Sequence, residues 1–164
     1  MIFVGIDPGI NGAIAIIEGT NILHLERCPK LKTKRGHDYD YSGMSELLFE
    51  YDAHGDKNAV AYLESVSSWP KQGVVSMFNF GKGFGAWLGI LHAYGIPVRL
   101  ARPQDWKSEL LAGTDKSKEA SIEAAKIMFP DADLKPGKMT TEHDGMAEAL
   151  LIAAYGKEIE SKVK

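Results

Sequence analysis

The chain opens on Ile2-Phe3-Val4-Gly5-Ile6-Asp7, a short apolar run that ends on a single carboxylate. Pro8-Gly9 and Asn11-Gly12 then turn it into a second apolar run, Ala13 to Ile17. This pattern predicts two antiparallel strands with an acid at the turn between them. A buried strand that ends in aspartate carries charge to the rim of a sheet, where the cost of burial must be offset by hydrogen bonds, a base or a metal. The local alternative is that Asp7 only caps its own turn, as aspartate before proline often does. The stretch by itself does not separate the two.

The rest of the chain supplies the elements around that turn. Asn21 to Arg27 alternates weakly and closes an antiparallel meander, and the polar, basic segment from Cys28 to Tyr41 reads as a mobile loop. Ser42 caps a helix in which Met44, Leu47, Leu48 and Tyr51 recur at helical spacing. Ala59-Val60-Ala61-Tyr62-Leu63-Glu64 is a further apolar run ending on an acid. The meander and helix before it permit a right-handed crossover, which would lay this strand parallel to the first and bring Asp7 and Glu64 to one rim.

Gln72 to Tyr94 reads as a helix with Gly81, Gly85 and Gly89 every four residues, a smooth stripe suited to close approach by another backbone. Gly81-Lys82-Gly83 is not a phosphate loop, because the Gly-x-x-x-x-Gly-Lys-Ser/Thr pattern is absent. Val98 to Ala101 is a fifth strand, and Pro103 opens a short helix through Leu111. Ser117 caps another helix, ended by Pro130. In the last helix, Glu142 to about Ile159, Ala147, Leu150, Leu151 and Ala154 mark a buried face. Asp144 and Glu148 are four apart there and lie on one side. The expected fold is α/β: a five-stranded mixed sheet, antiparallel meander plus parallel strands, flanked by helices in a single domain of residues 1–164.

A chain of 164 residues with 45% apolar and 25% charged side chains has the composition of one globular domain. It lacks an unbroken run of about 18 apolar residues, so no membrane-crossing segment and no membrane partner are expected. The N-terminus has no secretory pattern and Cys28 is the single cysteine, which together suggest a reducing, cytoplasmic setting. The net charge of -3 hides a division: residues 71–118 carry seven bases against three acids. Arg27, Lys30, Lys32, Lys34 and Arg35 form a second basic cluster. Such asymmetry allows a phosphate-binding face on an acidic protein.

Taken together, Asp7, Glu64, Asp144 and Glu148 form a set of four acids on a sheet rim and an opposing helix. Carboxylates crowded this way repel unless divalent cations intervene, and hard oxygen ligands select Mg²⁺ or Mn²⁺. A pair of such ions about 4 Å apart suits phosphodiester hydrolysis.

With these pieces in place the sequence resembles the RuvC family of Holliday-junction resolvases, within the RNase H-like fold. The resemblance is carried by Gly5-Ile6-Asp7-Pro8-Gly9, Leu63-Glu64, Glu148-Ala149-Leu150-Leu151-Ile152-Ala153, and two lysine-bearing segments, Ala101 to Lys107 and Asp115-Lys116-Ser117. It implies a homodimer that binds four-way DNA junctions and nicks paired strands, with two Mg²⁺ per active site. Asp7 and Glu64 map as metal ligands. The family's last two acids are three apart, whereas here Gly145 holds the earlier position and Asp144 precedes it. Asp144 is favoured as principal ligand with Glu148 beside it, and His143 is a further ligand or a capping neighbour.

By the same resemblance Lys107 and Lys116 bind or polarise the scissile phosphate. Lys71, Lys82, Arg102 and Lys118 are expected DNA contacts, with plain solvation the simpler account of Lys118. Bacterial members carry an aromatic three residues after the glutamate, where this chain has Ser67; Trp69 is the expected substitute for stacking on a base. These departures and the compact length look more like phage or prophage resolvases. Two readings compete with a branched-DNA endonuclease. One is a non-catalytic branched-DNA binding module on the same fold. The other is an actin-like ATPase, for which the chain is too short to hold both required halves.

Overall fold

The computed structural model describes residues 1–34, 36–52, 58–65 and 73–162, with the side chains of 50–52 left aside. Strands β1 (Ile2–Asp7), β2 (Ala13–Glu18) and β3 (Asn21–Arg27) form the expected antiparallel meander. After the short strands β4 (Lys30–Thr33) and β5 (Gly36–Tyr39) and helix α1 (Tyr41–Asp52), the chain returns as β6 (Ala59–Glu64), parallel to β1. Helix α2 (Val74–Ala93) then leads to β7 (Val98–Ala101), parallel to β6. The sheet order is β3-β2-β1-β6-β7. Helices α3 (Pro103–Leu110), α4 (Lys118–Met128) and α5 (Asp144–Lys162) complete the described chain. The five-stranded mixed sheet flanked by helices agrees with the reading of the sequence.

Alternation along the strands divides the apolar side chains between two cores. Val4 and Ile6 of β1 pack with Met44, Leu48, Trp87 and Leu91 of α1 and α2. Phe3 of β1, with Val60 and Tyr62 of β6, packs with Trp106, Ala125 and the apolar face of α5. Asp7 and Glu64, continuing the Phe3 and Tyr62 parity, therefore leave their strands on the α5 side. Helix α5 crosses the sheet in near contact: a Cβ on Gly5 would lie 2.1 Å from the Ala149 carbonyl oxygen and 2.4 Å from the Ala153 nitrogen. Only glycine permits that approach.

Several local expectations change. Ser42 lies inside α1 rather than capping it, and Asp40 takes that place, its Oδ1 accepting from the Gly43 N–H at 3.1 Å. The segment from Cys28 to Tyr41 is not an unstructured loop, because β4 and β5 pair antiparallel from Lys30↔Tyr39 to Thr33↔Gly36. Its base is held to the turn after Asp7: the buried Tyr39 hydroxyl donates to the Pro8 carbonyl at 3.2 Å and Lys30 Nζ donates to Asn11 Oδ1 at 3.1 Å. The close-packed glycine of α2 is Gly83, where a Cβ would meet the Pro8 oxygen and the Tyr39 hydroxyl, both at 2.3 Å. Gly81, Gly85 and Gly89 instead face open space. Finally, α2 is long and apolar enough, by length and composition, to cross a bilayer, although most of it is not buried. Scattered glycines and polar residues hid this from a search for an unbroken apolar run. Its Trp87 and Leu91 are fully buried against the sheet, and Lys82 pairs with Asp38 at 2.6 Å.

Candidate active site

Parallel pairing places the two strand-end acids side by side. Ile6 lies opposite Leu63, so Asp7 and Glu64 follow as the next residues at the same sheet rim. Helix α5 begins over this rim. Its start is set by His143, whose carbonyl accepts from the Ala147 N–H at 3.2 Å and whose Nδ1 accepts from the Met146 N–H at 3.2 Å. The histidine therefore caps the helix, and Glu142 lies outside it. A Cβ on Gly145 would sit 2.7 Å from the Asn11 carbonyl oxygen. No acid fits where the resolvase pattern has one, and the available carboxylates are those flanking this contact, Asp144 and, a turn later, Glu148.

Each of the four acids exerts its charge on, or feels the charge of, at least one of the others. Burial pushes the Asp7 carboxyl up to about 6, against the opposing pull of the Gly9 N–H, with further upward pressure from the charges of Glu148 and Asp144. Glu64 is pushed up to about 7, first by burial and then by the charge of Asp7, although its hydrogen bond from Trp106 opposes this and Glu148 adds to it. Glu148 thus acts on both strand acids. At Asp144, burial is outweighed by the hydrogen bond and charge of Lys118, which hold the carboxyl below its usual range. Glu148 also lies deeper, its side chain 15% exposed against 34% for Asp144.

Each carboxylate has its own donor. Asp7 Oδ1 accepts from the Gly9 N–H at 3.1 Å, and Glu64 Oε1 accepts from Trp106 Nε1 at 3.0 Å. Glu148 Oε1 receives Lys107 Nζ at 2.8 Å and the buried Ser121 hydroxyl at 3.4 Å, and Asp144 receives Lys118. As they lie, no three His, Cys, Asp or Glu side chains among the described residues are gathered closely enough to hold a metal ion. The donor set nevertheless fits a hard divalent cation: its ligands are oxygens, and among the described residues the hydrogen bonds to Asp7 and Glu64 come from neutral N–H groups. Lys107 supplies some positive charge to both, less than is needed to offset their burial and mutual repulsion.

This arrangement has a consequence for stability. A carboxyl whose folded pKa is raised binds its proton more tightly folded than unfolded. Its stabilising contribution is therefore complete below the unfolded values of 3.8 and 4.5 and disappears as pH rises through about 6 for Asp7 and about 7 for Glu64. Between pH 5 and 8 in EDTA, the expected loss is roughly 4 kcal/mol, or about 10 °C in Tm. Millimolar Mg²⁺ should shrink that fall by replacing protons with a cation. Thermal melts across this range check it; a Tm that rises with pH in EDTA would contradict the burial of the pair.

The remaining expected site residues divide. Lys107 reaches the cluster, with its ammonium 4.9 Å from the Trp106 ring centroid. Lys118 also reaches it, through Asp144, rather than being merely solvated. Lys116 is exposed and has no ion pair with a described residue; its backbone, at φ 58°, forms the turn before α4. Lys82 and Arg102 pair with Asp38 and Asp105 respectively. Trp69 and Lys71 lie outside the described residues. Trp106 and Ser121, which hold Glu64 and Glu148, were not singled out from the sequence; both look like ordinary core positions of their helices, and their partners are 42 and 27 residues away.

Comparison with known proteins bears first on the fold. The structure of Thermus thermophilus RuvC superposes with a TM-score of 0.62 at 19% identity, covering 98% of this chain and 97% of that one. T. thermophilus RuvC in complex with Holliday junction substrate gives 0.64 at 19% identity, with the same coverage. The fold is therefore that of RuvC. In sequence, 94 residues, 57% of the chain, are 32% identical to the chloroplastic Holliday junction resolvase MOC1 of Chlamydomonas reinhardtii. The chain spans about a tenth of that relative's length, the matched part being 10% of it. No family model matches.

Proposed function

We propose that the protein is a metal-dependent endodeoxyribonuclease that resolves four-way DNA junctions. The observation that carries this reading is the convergence of Asp7, Glu64 and Glu148, partly buried and mutually repelling, on a RuvC fold. Asp7, Glu64, Glu148 and Asp144 would hold Mg²⁺ or Mn²⁺, and two such ions supply activation of the attacking water and charge stabilisation on the leaving oxygen. The chain's own groups do the positioning. Gly9 and Trp106 orient the oxygens of Asp7 and Glu64, Ser121 steadies Glu148, and the neighbouring turn brings Asn11 beside the carboxylate cluster. Lys107 and Lys118, which neutralise Glu148 and Asp144 here, are placed to turn to a phosphate once those acids are otherwise engaged.

Paired nicks require two copies, and α2 is the surface proposed to join them. Val74, Val75 and Phe78 are exposed by 82%, 73% and 68%, and the open stripe of Gly81, Gly85 and Gly89 continues along the helix. An apolar face of this kind suits a second copy of the same helix.

One observation favours the alternative of a non-catalytic junction-binding module: two of the four acids are already paired with lysines. The experiment that separates the readings is incubation of the purified protein with end-labelled four-way, three-way and linear duplex DNA, with and without Mg²⁺. Expected are Mg²⁺-dependent, paired nicks near the branch point of the four-way junction and little cutting of linear duplex. Tight junction binding with no nick in Mg²⁺ or Mn²⁺ would establish the module instead.

A further inference from the structure

We infer that the β4–β5 hairpin is a phosphate-tracking ridge that grips the DNA strand leaving the carboxylate cluster, an inference that rests on the proposed nuclease function. Lys30 and Lys32 lie on one face of β4, opposite Tyr39 and His37 of β5, and Lys34 follows at the turn. That face is continuous with the turn after Asp7, because Tyr39 at its base bonds to Pro8 and Lys30 to Asn11. Alternate residues of a strand stand about 6.6 Å apart, so successive ammonium groups can meet different phosphates. Arg27, at the end of β3, joins the same run; with Lys30 it acts electrostatically on His143 across the turn.

The charges on this ridge are available, whereas many of the chain's other bases are neutralised. Lys82, Arg99, Arg102, Lys107, Lys118, Lys126 and Lys162 are each paired with a carboxylate. Arg27, Lys32 and Lys34 are exposed and pair with no described carboxylate. The hairpin itself is braced by the Lys82–Asp38 ion pair and by Tyr39 against Gly83. A row of unneutralised cations on a braced support, starting beside the carboxylate cluster, matches a polyanion running out of that cluster, and the DNA backbone is the polyanion the site would act on.

The test is fluorescence anisotropy with a labelled four-way junction in EDTA, between about 50 and 200 mM salt, where counterion release is readable. It compares wild type, the Lys32→Ala/Lys34→Ala variant, and a Lys157→Ala/Lys162→Ala variant that removes equal charge at the C-terminal end of α5, the end away from Asp144 and Glu148. The hairpin variant should bind about tenfold more weakly, with the slope of log affinity against log salt reduced by about 2. The control should match wild type, and thermal melts should show all three folded. If the hairpin variant behaves like the control while wild type binds and cleaves, the ridge does not touch DNA and the nuclease reading stands. If wild type neither binds nor cleaves the junction, both fall. Competition by polyglutamate equal to that by DNA would reassign the ridge to an acidic protein partner.

Discussion

Asp7→Asn and Glu64→Gln are each expected to slow Mg²⁺-dependent junction cleavage on the order of a thousandfold, while binding in EDTA is retained or tightened. The two acids are the members of the cluster whose pKa values are raised most by burial, and an amide there cannot offset a dication. Junction binding should survive because removing negative charge close to phosphates relieves repulsion. The fold should survive as well. The amide oxygen can still accept from Gly9 or Trp106, and an amide resembles the protonated acid that burial already favours, to about pH 6 at Asp7 and about pH 7 at Glu64. Unchanged or raised Tm, together with lost cleavage, is thus the expected pair of results. Nicking by either variant near the wild-type rate would remove the metal-ligand assignment.

The second large effect is structural. Gly5→Val should destabilise the protein by at least about 3 kcal/mol, roughly 6–12 °C in Tm, the range expected for overpacking a rigid core. The reason is backbone against backbone: the new Cβ would meet the Ala149 oxygen at 2.1 Å and the Ala153 nitrogen at 2.4 Å. Flexible side chains can move aside at small cost, but here all of α5 must lift from β1. That displacement would also withdraw Glu148, one residue before Ala149, from Asp7 and Glu64. Variant protein that remains folded should therefore show weakened Mg²⁺-induced stabilisation. A melt within 2 °C of wild type, on the order of 1 kcal/mol or less, would mean that the helix is not seated on Gly5.

Much of this architecture is legible in residue order because its causes are local. Two apolar runs that each end on an acid, separated by enough chain for a crossover, specify parallel strands with Asp7 and Glu64 at one rim. Ser117 caps α4 as its position suggests, accepting from the Ala120 N–H at 3.2 Å. The four-residue spacing of Asp144 and Glu148 puts both on one side of α5. These features depend on strand alternation, helix periodicity and capping, which operate over a few neighbouring residues.

Tertiary structure decided which groups meet across the chain. A basic segment with turn-forming residues looks like a loop until Tyr39 reaches Pro8, 31 residues earlier, and braces it as a hairpin. Of two lysines flanking the Ser117 cap, Lys118 pairs with Asp144, while the backbone of Lys116 forms a left-handed turn and its side chain is exposed. Trp106 becomes the donor that orients Glu64, and Gly83 rather than Gly81, Gly85 or Gly89 is the tightly packed glycine of α2. Periodicity says which face of an element is apolar, but the angle and depth at which two faces dock follow from the volumes of side chains distant in sequence. The spacing of residues therefore determined that acids would crowd one rim, and packing alone determined what holds each of them there.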